Sequence, residues 1–102
     1  MHDIQETAPG EFETRVTVTC PTGMHARPAA MVARTAQEYA AELRLAVQGQ
    51  EQDVDAKSIL DILSLAAVNG AVLIVKGKGS DARDAIKAIA TLVRTQFKEG
   101  TT

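Results

Sequence analysis

The hydrophobic period of this chain changes at Pro21-Thr22-Gly23, and that change limits what the chain can become. Before it, residues 13–20 (ETRVTVTC) alternate β-branched apolar residues with polar ones, so Val16, Val18 and Cys20 share the inward face of a strand. After it, HARPAAMVARTAQEYAAEL is rich in helix formers and places Ala29, Val32, Ala33, Ala36, Tyr39 and Ala40 close to the i, i+3, i+4 rhythm. A strand therefore ends at Pro21, and a helix begins at or just after His25. Pro28 fits that helix only in its first turn, where the missing N–H would have had no intrahelical partner.

The remaining segments follow from the same two periods. Leu43, Leu45 and Val47 alternate with Arg44 and Ala46, Gly49 offers a turn, and residues 51–55 return, which predicts a hairpin. Residues 57–65 (KSILDILSL) form a short, broadly apolar helix that ends near Asn69-Gly70. AVLIVK at 71–76 is a β-branched strand broken by Gly77 and Gly79. Ser80 is the expected N-cap of a last helix with Ala82, Ala85, Ile86, Ile89, Leu92, Val93 and Phe97 along one stripe, stopping at Gly100. The order is β-α-β-β-α-β-α. Its helices can cover one sheet face only, which predicts an α+β open-faced sandwich of four antiparallel strands and three helices. Residues 1–12 show no periodicity and contain Pro9 and Gly10, so a flexible tail is expected there, ahead of one domain at 13–99.

Composition excludes several classes of function. A net charge of −2 with three aromatic residues is unlike a nucleic-acid binder, which needs a basic surface or stacking platforms. The single cysteine cannot form an internal disulfide, and no Cys/His spacing suits a metal, so neither metal nor cofactor is expected. No run of about 18 apolar residues could insert in a membrane, and the acidic start lacks the features of a secretory signal. A cytoplasmic monomer is expected. A chain of this length has little interior for a deep catalytic cavity, so its chemistry should lie at the surface.

His25 is the residue best placed for chemistry. A helix N-terminus offers unpaired N–H groups and the positive end of the dipole, which welcome an anion. A phosphoryl group on the imidazole would bring close to two negative charges, which those N–H groups and the Arg27 guanidinium could hydrogen-bond. Gly23 would allow a partner to approach the ring, and Pro28 would fix the first turn. A phosphorus–nitrogen bond is reactive enough to be passed on, which suits a relay, but local physics alone favours a plainer reading of His25 as a surface histidine that caps a helix.

The segment GMHARPAA resembles the active-site motif of the HPr family of phosphocarriers in bacterial phosphotransferase systems. AKSILDILSLAAVNGAVLIVKGKGSDA is similar to that family's second signature, and residues 14–97 match its length and element order. The resemblance implies that His25 is the phosphoacceptor, through its pros nitrogen. It would be charged by enzyme I after phosphoenolpyruvate and would donate to a IIA domain, as a carrier in sugar uptake rather than an enzyme. Arg27 carries over as the phosphate-stabilising residue.

Ser58 reads as the N-cap of the short helix. It also falls where many HPr proteins carry a regulatory serine phosphorylated by an HPr kinase/phosphorylase. Leu60 and Leu63 stand where the family often has methionine, and with Met24 and Pro28 they are the expected partner-binding residues. Asp61 and Met24 resemble nitrogen-branch members, so a regulatory carrier acting through a nitrogen-branch IIA protein is an alternative output. A serine-phosphorylated module that binds a transcription regulator is another. His2 has no assigned role.

Overall fold

The computed structural model describes residues 3–95. Five strands and three helices follow in the order β1 (Gln5–Ala8), β2 (Glu11–Thr17), α1 (Ala26–Gln37), β3 (Glu42–Val47), β4 (Asp53–Asp55), α2 (Ile59–Ser64), β5 (Val72–Lys78) and α3 (Ala82–Thr95). The strands form one antiparallel sheet, β1-β2-β5-β3-β4. β5 lies between β2 and β3, so α1 has to cross over the sheet to join them. This is the expected open-faced α+β sandwich with one strand more. The hairpin, the three helices and the last strand fall in the expected segments, but α1 stops at Gln37, short of Tyr39 and Ala40, α2 stops at Ser64, short of Asn69-Gly70, and β5 runs on to Lys78; Phe97, Gly100 and His2 lie outside the described residues.

The additional strand lies where a tail was expected. QETA has no apolar alternation, so nothing in its pattern signals a strand. It is held by pairing with Glu11–Glu13, by Thr14 Oγ1 donating to Asp3 O at 3.1 Å, and by Ile4 packing on the core. The strand expected at 13–20 is displaced with it and ends at Thr17. Cys20 then sits half-buried in the following turn, with Sγ 3.5 Å from Thr22 Oγ1, instead of inside the core.

Alternation along the strands points Val16, Val18, Leu43, Leu45, Leu73 and Val75 to the helix side, where they are buried. Opposite them lie Ala29, Val32, Ala33 and Ala36 of α1, Ile62 of α2, and Ala85, Ile86, Ile89 and Val93 of α3. The many alanines let helix backbones approach the sheet closely. Gly77 shows how closely: it continues β5, where the sequence suggested a break, because a Cβ there would lie 2.9 Å from Ile86 Cγ2 and 3.1 Å from Leu43 Cδ2.

The first turn of α3 is also tied to the loop before β3. Both carboxylate oxygens of Asp81 accept backbone N–H bonds at 2.9 Å, from Ala40 and Ala41. Ala85 N–H donates to Asp81 O, so Asp81 rather than Ser80 is the residue that opens the helix. On the uncovered face of the sheet, Asp53 Oδ1 lies 3.0 Å from Arg44 Nη2 and Oδ2 lies 3.5 Å from Lys76 Nζ.

Candidate functional site

His25 occupies the N-cap position of α1, with extended backbone angles (φ −104°, ψ −165°). Its carbonyl accepts from Ala29 N–H at 2.9 Å, its N–H donates to Gly23 O at 3.1 Å, and its side chain makes no capping bond. The imidazole is therefore exposed and free of structural duty. Pro28 has no N–H and that of Ala29 is used, so Ala26 and Arg27 supply the N–H groups without an intrahelical partner. Arg27 is exposed at the same end of the helix and forms no ion pair among the described residues.

The loop that presents His25 is anchored from behind. Met24 is 5% exposed and belongs to the core, and its N–H donates to Ala67 O at 2.8 Å. Gly23 has φ +74°, and a Cβ on it would meet Ala67 O at 2.7 Å and Val68 Cα at 3.1 Å. The turn between α2 and β5 thus lies directly against the His25 loop. Ala66 in that turn has φ 52°, a left-handed conformation at the helix C-terminus that glycine adopts more easily.

Ser58 caps α2, its Oγ accepting from Asp61 N–H at 3.2 Å. Two carboxylates stand close by. Asp61 Oδ2 accepts from Asp55 N–H at 3.3 Å, and Asp55 Oδ1 accepts from Lys57 N–H at 2.9 Å. α1 and α2 are joined by Lys57, whose Nζ donates to Tyr39 O at 2.7 Å while its carbonyl accepts from Gln37 Nε2 at 2.9 Å.

The four residues expected to meet partners are placed differently from one another. Leu60 is 79% exposed, Leu63 is half-buried against the core, and Met24 and Pro28 are buried. Ile59 and Val68 are also exposed, and Val68 adjoins Gly23, so an apolar surface reaches from α2 toward His25. Reading the sequence did not single out Ala67 or Val68. Asn69-Gly70 marked the turn, but a backbone carbonyl that holds a distant loop leaves no trace in residue type. Among the described residues no group of His, Cys, Asp and Glu could hold a metal ion, and no helix is long and apolar enough to cross a membrane.

Comparison with known proteins agrees with this geometry. The family described as PTS HPr component phosphorylation site matches residues 12–95. The phosphocarrier protein HPr of Xylella fastidiosa strain Temecula1 is 36% identical over 90 residues, covering 88% of this chain and 99% of its own. That of Buchnera aphidicola is 30% identical over 87 residues, covering 85% and 99%. The crystal structure of HPr from Bacillus anthracis superposes with a TM-score of 0.76 at 36% identity, over 82% of this chain and 98% of the other. With its fold, its exposed N-cap histidine and these likenesses in agreement, the chain belongs to the HPr family of phosphocarriers of the phosphotransferase system.

Proposed function

We propose that His25 accepts a phosphoryl group from enzyme I, charged by phosphoenolpyruvate, and passes it to a IIA domain in a sugar-uptake relay. The observation that carries this reading is the exposed His25 ring, which makes no capping bond at the head of α1. The pros nitrogen of the ring attacks the phosphorus, the donor's bond to it breaks, and a phosphorus–nitrogen bond forms. Transfer to the acceptor repeats the exchange in the other direction, so the carrier returns unchanged. Ala26 and Arg27 N–H groups and the Arg27 guanidinium stabilise the new charge. The exposed apolar residues Leu60, Ile59 and Val68 give enzyme I and the IIA domain a surface to bury, and fast exchange suits a modest interface on a cytoplasmic monomer.

Asp61 favours a second output, a nitrogen-branch carrier that controls other proteins, because it sets a carboxylate in the first turn of α2 beside the docking helix. Ser58 acts as a cap in either case. Its neighbours Asp61 and Asp55 oppose a phosphate there, which argues against an HPr kinase/phosphorylase as a partner.

Labelled phosphoenolpyruvate and a purified enzyme I test the carrier function. Acid-labile label is expected on the native chain and absent from His25→Ala, and purified sugar-branch and nitrogen-branch IIA proteins then compete for it. Equal labelling of His25→Ala would refute the assignment.

A further inference from the structure

Outside the His25 site, the outer side of α3 bears a groove of about 570 Å³, with Ile4 on one wall and Arg83, Lys87 and Arg94 along the other. Among the described residues Asp84 is the only carboxylate lining it. The protein as a whole carries −2, so this face opposes the sign of the molecule. Among the described residues none of the three cations forms an ion pair, and unlike Arg27, Arg34 and Lys57, which are also without one, the three line a single groove. Arg83 lies over the Phe12 ring at 5.9 Å. Arg83 and Lys87 are four residues apart on one helix face, an arrangement in which like charges repel and a counter-charge is welcome.

We propose that this groove binds an acidic peptide segment of a partner protein. The dimensions select a peptide over a single anion. Arg83 and Arg94 are separated by eleven helical residues, roughly 16 Å of helix axis, which is the length of about five residues of extended chain. Carboxylates along such a segment meet the three cations in turn, and an apolar residue at one end meets Ile4. Ile4 lies before the family match begins at residue 12, so this wall is an addition to the phosphocarrier domain. The binding face is separate from His25, and occupation of it leaves the imidazole free.

The test is an amide NMR titration of the full chain with a pentaglutamate peptide ending in leucine. Shifts are expected along residues 83–95 and at Ile4, weakening as salt is added, with affinity about tenfold lower in the Lys87→Glu, Arg94→Glu variant. Both positions are exposed, so the variant is expected to fold, and circular dichroism is the check on that. Three results overturn the proposal: no shift at millimolar peptide in low salt, equal shifts from sulfate alone, or equal affinity in the charge-reversed variant.

Discussion

At Gly23, φ is +74° and Ala67 O stands 2.7 Å from where a methyl group would go, so two separate penalties meet at one residue. Gly23→Ala cannot relieve either without pushing the His25 loop away from the α2–β5 turn and stretching the 2.8 Å bond from Met24 N–H to Ala67 O. The expected cost is about 2 kcal/mol or more of stability, with slower phosphate acceptance, read by thermal melts and label uptake. A variant as stable and as fast as the native chain would show that the close approach is not needed. Asp53 gives a weaker effect whose size depends on pH. Hydrogen bonding from the Arg44 guanidinium, helped by Lys76, holds its carboxyl below the ordinary value of 3.8, with partial desolvation opposing. A lowered folded value means the stabilisation is complete above 3.8 and is lost as pH falls through the folded value. Asp53 is more than a third exposed, so Asp53→Asn should cost under about 1 kcal/mol at neutral pH. The difference should shrink as pH falls below 3.8 and vanish once pH is below the folded value, read in paired denaturation curves.

At the scale of elements, α2 is six residues long and owes its start to one hydroxyl. Ser58→Ala removes the acceptor for Asp61 N–H and should cost about 1 kcal/mol, whereas Ser58→Asn keeps an acceptor at the N-cap, adds no charge beside Asp55 and Asp61, and should cost less. Urea midpoints of the two variants distinguish a capping role, which predicts that order, from a hydroxyl of no structural importance, which predicts equality. Ser58 could be read from the sequence because a cap is a local device, three residues from its partner. So could the boundary at Pro21-Thr22-Gly23, where the period itself changes. The period alone could not give the exposure of Leu60, which only the family resemblance suggested: four of the six residues in ILDILS are apolar, and a helix this short carries no stripe to say which side faces water. Met24 illustrates the converse. Its place in a functional motif suggested contact with partners, while its side chain fills the core and only its position in the chain serves the site. Asp81 bonding to Ala40 and Ala41 belongs to the same class, since a side chain reaching a backbone some forty residues away follows no period.

At the scale of the molecule, the site and the N-terminal strand lie at separate parts of one core, which makes their contributions separable. Among the described residues β1 pairs only with Glu11–Glu13, and its anchors are Ile4, the Asp3 carbonyl and the bond from Gly79 N–H to Gly10 O. Deleting residues 1–10 removes all of these and leaves the Thr14 hydroxyl, 2% exposed, without its acceptor. A buried hydroxyl stripped of its partner costs about 1–3 kcal/mol, so the deleted chain should melt lower while still taking label on His25, because no anchor of the His25 loop involves this segment. Thr14→Val gives the decisive comparison. In the full chain it removes a bond and should destabilise, whereas in the deleted chain it removes an unsatisfied hydroxyl and should recover part of the loss. Four melting curves close that cycle. Opposite signs for the same substitution in the two backgrounds would establish that β1 is a structural strap fastened at Thr14. The same sign in both would mean that water satisfies the hydroxyl once the strand is gone, and the cost of deletion would then lie in Ile4 and the lost pairing.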